Sequence, residues 1–91
     1  MTVPMRAHQP RPLRNQRVVV MGLGRFGGGL GATRFLVEQG ARVLVTDLAP
    51  PDKLADALRD LRPLTDAGRV DLRLGGHDER DFTSADLVVA N

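Results

Sequence analysis

The strongest chemical signal in the sequence is Gly22-Leu23-Gly24-Arg25-Phe26-Gly27, a G-x-G-x-x-G spacing that follows an apolar run and opens a helical pattern. In such a loop the first glycine permits a tight turn, the second lets a phosphate approach the backbone, and the third lets the helix lie close to the strand. Unpaired N–H groups and the positive dipole end of the helix then favour an anion. The alternative is that the glycines serve close packing alone. Twenty residues beyond Gly27 stands Asp47, at the end of a second apolar run. An acid there usually accepts hydrogen bonds from a nucleoside, and it disfavours a ribose 2′-phosphate. Its alternative is a turn aspartate that caps backbone N–H groups.

Other polar residues carry less. Gly28, Gly29 and Gly31 exceed what the fingerprint needs, and glycine inside a helix costs up to about 1 kcal/mol relative to alanine, so they imply a longer loop or a tight contact. A P-loop is excluded: Ala32 takes the lysine position before Thr33, and Phe26 stands where the first glycine belongs. His77 has no second histidine, cysteine or suitably spaced carboxylate, so it reads as a turn or surface residue and no metal site is expected. Asp78-Glu79-Arg80-Asp81 reads as a solvated run, and Arg25 either neutralises a phosphate or faces water.

The elements that would position the loop and the acid follow from the apolar pattern. Arg17-Val18-Val19-Val20-Met21 and Arg42-Val43-Leu44-Val45-Thr46 are short apolar strands, each suited to a parallel sheet covered on both faces. Between them Gly22 to Gly31 reads as a turn. The helix after it runs through Glu38, with Leu30, Phe35, Leu36 and Val37 as its apolar stripe and Gly40 as its stop. Leu54, Leu58 and Leu61 predict an amphipathic helix over residues 52–62 with Asp56, Arg59 and Asp60 in water, ended by Pro63. Val70 to Leu74 alternates as a peripheral strand. A helical turn over 78–82 and a fully apolar strand, Leu87-Val88-Val89-Ala90, complete a Rossmann-like α/β pattern with a parallel sheet of about four strands flanked by helices.

Composition narrows the class. Four of the 13 basic residues (Arg6, Arg11, Arg14, Arg17) lie in the first seventeen positions, which hold no acid, leaving nine basic against 11 acidic in the remainder. The globular part is therefore mildly acidic, and a nucleic-acid surface is not expected. The absence of cysteine is compatible with a reducing cytosol. No apolar run approaches the roughly 20 residues of a membrane span. Residues 1–16 are expected to be a flexible basic leader, since Pro4, Pro10 and Pro12 would interrupt the amphipathic helix of a transit peptide.

These residues resemble the Mur ligase family, in the amino-terminal domain of its D-glutamate-adding members. The likeness rests on Val18-Val19-Val20-Met21-Gly22-Leu23-Gly24, the glycine run into Phe35-Leu36, Val43-Leu44-Val45-Thr46-Asp47, Leu74-Gly75-Gly76-His77 and Ala85-Asp86-Leu87-Val88-Val89-Ala90-Asn91. It implies that residues 17–91 are a UDP-binding domain, truncated at its carboxyl end, whose ligand is the UDP end of UDP-N-acetylmuramoyl-L-alanine, a cytoplasmic peptidoglycan precursor. By the same resemblance, Leu23, Gly24, Arg25, Phe26 and Gly27 face the diphosphate, Asp47 and Leu48 lie at the uracil, and Asn91 begins a turn that makes a further diphosphate contact. Arg25-Phe26 replaces the hydroxyl residue that many members carry in the loop, which leaves more of the binding to backbone N–H groups.

The resemblance also implies a whole enzyme that uses ATP and Mg²⁺ to activate the substrate carboxylate as an acyl phosphate for attack by the D-glutamate amine. Its remaining domains would hold the ATP loop, metal ligands and amino-acid site, so this segment carries no catalytic residue and is expected to be inactive alone. The competing reading is an NAD-binding module of an oxidoreductase or a cofactor-sensing regulator. On the sequence alone, removal of Asp47 is expected to weaken a nucleoside contact while leaving the phosphate cradle intact.

Overall fold

A computed structural model describes residues 13–24 and 28–90 of the chain. The elements run β1 (Arg17–Met21), α1 (Gly28–Glu38), β2 (Arg42–Asp47), a 3-10 turn (Pro51–Leu54), α2 (Ala55–Asp66), β3 (Val70–Leu74), α3 (Glu79–Thr83) and β4 (Leu87–Ala90). The four strands form one parallel sheet in the order β3-β2-β1-β4. This is the expected α/β fold.

Register explains which residues form the core. Val18, Val43 and Val70 are aligned across three strands, as are Val20 and Val45 one pleat further on. These five valines share a face with Leu36 of α1 and Leu61 of α2 in one buried cluster, so both helices cover that side. Arg73 lies on the opposite face, three residues from Val70, and its guanidinium pairs with Asp81 of α3. α3 therefore belongs to the other layer. β3 is an edge strand, as its alternation predicts, and β4 forms the other edge of the described sheet, where its Leu87 and Val88 remain exposed.

Several boundaries differ from the sequence reading. α1 starts at Gly28, so part of the glycine run is helix. Its buried positions are Gly29, Thr33 and Leu36, a stripe that includes a threonine whose hydroxyl donates to Gly29 O at 2.7 Å. Phe35, assigned to that stripe, is 57% exposed because it falls on the neighbouring helix face. Pro63 does not end α2, which runs on to Asp66. The stop is Gly68: its N–H donates to Thr65 O while Arg69 N–H donates to Leu64 O, the paired closure that satisfies the last carbonyls. Gly40 closes α1 in the same way, with Ala41 N–H donating to Leu36 O.

Two clamps fix the strand starts. Asn15 N–H donates to Gly40 O, and Leu13 packs against the core, so the residues just before β1 are tied down. Residues 1–12 lie outside the described set. Asp86 holds β4 against β1 reciprocally: Arg17 N–H donates to Asp86 Oδ2 at 2.8 Å, and Asp86 N–H donates to Arg17 O at 2.7 Å.

The backbone of α1 comes close to the end of β1 at Gly29. A Cβ placed there would sit 2.2 Å from Gly22 O and 2.5 Å from Leu23 Cα, backbone atoms with no rotamer to yield. At Gly31 the same atom meets nothing within 4 Å. Gly29→Ala is therefore expected to destabilise the fold by about 3 kcal/mol through overpacking, whereas Gly31→Ala should stabilise it by about 0.5–1 kcal/mol through helix propensity. Urea unfolding of the two variants measures the contrast, and equal effects would remove Gly29 as the contact point.

Candidate functional site

The sheet order itself marks a place for a ligand. The chain moves outward from β1 through β2 to β3, then returns to β4 on the other side of β1, so the order reverses between β1 and β4. In open parallel sheets, ligands bind outside the carboxyl ends of the strands at such a reversal. Here a crevice of about 250 Å³ is lined by Met21, Gly22, Asp47, Leu48, His77 and Ala90. A second cleft of about 660 Å³ runs from Gly24, Asp47 and Ala49 to the start of α2. The smaller crevice lies below the roughly 300 Å³ of an ordinary small-molecule pocket, so the shared border at Asp47 matters. A third groove, of about 500 Å³, lies at the amino ends of the strands beside Arg17 and Arg42, away from the loop.

The loop is held from three directions at Leu23. Its side chain is fully buried in the core, its carbonyl accepts from Gly29 N–H at 2.9 Å, and its N–H donates to Asp47 Oδ2 at 3.0 Å. Gly22 at φ +90° and Gly24 at φ +76° flank it, both in the left-handed region that favours glycine. Gly22 N–H also donates to Thr46 O at 2.7 Å, so the turn is stitched to the end of β2.

Asp47 is the second half of that stitch. Oδ2 accepts from Leu23 N–H and Oδ1 accepts from Ala49 N–H at 2.9 Å. The capping alternative for Asp47 is thus observed, and it includes a residue 24 positions away in the glycine loop. Asp47 and the glycine loop, expected to act separately, are joined by this bond. Leu48 is exposed beside it and lines the crevice. Gly24 is exposed at the cleft. Arg25, Phe26, Gly27 and Asn91 lie outside the described residues.

Sequence reasoning placed His77 at the surface but missed that it lines the crevice. The turn that carries it pairs with the end of β2, where Gly76 N–H donates to Asp47 O at 3.1 Å and Gly75 N–H donates to Ala49 O at 2.9 Å. The imidazole meets Phe82 edge to face at 5.9 Å. Asp78 is not a free surface acid. It caps α3 by accepting from Arg80 N–H at 2.9 Å and pairs with the Arg80 guanidinium, whose hydrogen bonds hold its carboxyl far below the ordinary carboxylate range. Asp81 engages Arg73, which raises the guanidinium pKa. The run 78–81 therefore anchors the crevice wall, and the signal for this lay in Gly75-Gly76 and the pairing to β2, outside any local periodicity.

A family model described as "Mur ligase MurD-like, N-terminal domain" matches residues 16–91. Among similar curated proteins, a UDP-N-acetylmuramoylalanine--D-glutamate ligase of Roseiflexus sp. (strain RS-1) is 47% identical over 79 residues, which is 87% of this chain and 16% of that protein. A ligase of the same name from Trichlorobacter lovleyi is 46% identical over 81 residues, again 87% and 16%. One from Borreliella burgdorferi (strain ZS7) is 40% identical over 79 residues, 87% of this chain and 17% of that protein. The chain thus spans about one sixth of the length of these relatives. The nicotinamide-cofactor reading finds no support in these matches.

Two buried threonines next to this machinery differ in one respect. Thr33 Oγ1 has its bond to Gly29 O, whereas Thr46 Oγ1 is buried with no partner among the described residues. Thr33→Val is expected to lose about 1 kcal/mol, while Thr46→Val, which removes an unsatisfied hydroxyl, should be neutral or gain about 1 kcal/mol. Denaturant midpoints of the two variants provide the comparison; Thr46→Val as the weaker protein would mean that its hydroxyl has a partner.

Proposed function

Because the chain belongs to the family of Mur ligase MurD-like amino-terminal domains, we propose that it binds the UDP end of UDP-N-acetylmuramoyl-L-alanine and presents it to the rest of a D-glutamate-adding ligase. The observation that carries this reading is the meeting of the glycine loop and Asp47 at the carboxyl ends of β1 and β2, beside the strand-order reversal. Asp47 and Leu48 take the nucleoside in the crevice. Each Asp47 oxygen has one backbone donor and retains lone-pair capacity for a uracil or ribose donor.

The diphosphate sits at the loop and the amino end of α1. Leu23 N–H is already donated to Asp47, so the diphosphate contacts in this reading come from Gly24 and the backbone N–H groups that follow it, with Arg25, Phe26, Gly27 and Asn91 retained as contacts on the resemblance alone. The first turn of α1 carries no acid to oppose an anion at its positive end. A cytoplasmic setting and a place in peptidoglycan precursor synthesis belong to the same proposal.

The described residues do not fit an ATP–Mg²⁺ site. Ala32 stands where a phosphate-binding loop carries lysine, and no group of three or more potential metal ligands exists among the described residues. In the full-length enzyme ATP and Mg²⁺ would supply carboxylate activation on other domains. The role proposed for this chain's own residues is to bind and orient.

UDP is expected to bind the chain at least tenfold more tightly than NAD in calorimetry, with no ATP hydrolysis above background. NAD binding equal to or stronger than that of UDP would overturn the assignment, and purification-stable turnover would overturn the division of labour.

A further inference from the structure

We propose that Asp47 is a positioning residue for the phosphate loop, so that one carboxylate sets the geometry at both the nucleoside and diphosphate ends of a single nucleoside-diphosphate ligand. The inference deepens the function proposed above and rests on it for the identity of the ligand. Its basis is the fixed path from β2 into the loop. Asp47 Oδ2 accepts the Leu23 N–H, Thr46 O accepts the Gly22 N–H, and Leu23 O accepts the Gly29 N–H. Leu23 is therefore tied to the second strand on one side and to the first turn of α1 on the other.

Gly24 is the next residue, exposed and in the left-handed region, so its direction depends on how Leu23 is held. The other oxygen of the same carboxylate accepts Ala49 N–H, which fixes the carboxyl plane against the β2 end. Rotating or removing that carboxylate releases the loop at Leu23 and the turn through Leu48 to Ala49 together.

Electrostatics supply a sign that separates this role from simple charge effects. A carboxylate near a diphosphate repels it, so neutralising Asp47 would by Coulomb's law alone tighten anion binding. As a positioning residue its neutralisation weakens anion binding instead. Asp47→Asn is nearly isosteric, but a carboxamide offers one acceptor oxygen and one NH₂ donor, so it satisfies only one of the two backbone N–H groups.

The test compares the parent chain with Asp47→Asn and Asp47→Ala, reading amide hydrogen exchange at Leu23 and affinities for inorganic pyrophosphate, uridine and UDP. Asp60→Ala, on the exposed face of α2, serves as the control. The expected result is at least tenfold faster exchange at Leu23 in Asp47→Ala, with pyrophosphate binding weakened three- to tenfold in both Asp47 variants while each remains folded. Should the alanine variant fail to fold, the asparagine variant alone decides, by its pyrophosphate affinity. Pyrophosphate binding unchanged or tightened in folded Asp47→Asn overturns the inference, as does a loss confined to uridine. A parent that binds pyrophosphate but not UDP defeats the nucleotide assignment and leaves the loop role standing; one that binds neither defeats both.

Discussion

The approach of α1 to the end of β1 is the constraint on which the rest of the molecule depends. At Gly29 the helix backbone comes so near Gly22 and Leu23 that no side-chain carbon fits between them. That contact lets Gly29 N–H reach Leu23 O, which closes the turn, and it sends the Leu23 side chain into the core. With Leu23 fixed, its N–H points at β2 and meets Asp47. Packing at one glycine therefore sets the direction of the Leu23 amide, and the geometry of the candidate site is inherited from core geometry. A larger residue at position 29 would move the helix outward and take the loop with it.

Much of this was legible in the residues. Val18 to Val20 and Val43 to Val45 are β-branched runs of strand length, and the Leu54, Leu58, Leu61 spacing has a single solution on a helix. Other features escaped because they depend on contacts made far along the chain. Pro63 looked like a stop, since proline lacks the N–H that a helix interior uses. Yet one lost bond near the end of α2 is outweighed when Leu64 packs on the core and Gly68 closes the last turn. Phe35 looked like core because it is large and apolar, but a helix of 11 residues with a glycine and a threonine on its inner face needs only Leu36 and its half-buried neighbours there.

The candidate site shows the same division. The spacing from Gly22 to Gly27 and the acid at Asp47 marked the loop and its companion, because turn chemistry and strand ends are local. The surplus glycines implied a longer loop or a tight contact, and Gly29 makes the contact, against Gly22 and Leu23. Two observations were not local: Asp47 is bonded to the loop it was assumed to stand apart from, and His77 reaches the crevice through backbone pairing of Gly75 and Gly76 with the end of β2. Asp86, quoted only as part of a motif, turned out to hold β1 and β4 together at their amino ends. Each of these is a link between segments at least 20 residues or one element apart, which no periodicity in a single window records.

Charge then orders the two ends of the proposed ligand along the strand ends. The cleft that runs from Gly24 to the start of α2 carries Asp47, Asp52 and Asp56 against Lys53 alone, so a diphosphate proposed at Gly24 is pushed away from the α2 side and toward α1. The amino end of α1 has no acid in its first turn and presents the positive end of the helix dipole. A ligand with a neutral, donor-bearing nucleoside and a doubly charged diphosphate is thus favoured in one orientation, base toward Asp47 and Leu48, phosphates toward α1. Reversal would set the diphosphate against the Asp47 carboxylate in the crevice and leave the helix end without its anion. The discrimination needs no basic side chain in the described part of the loop, because the repulsion on one side and the backbone field on the other act in the same direction.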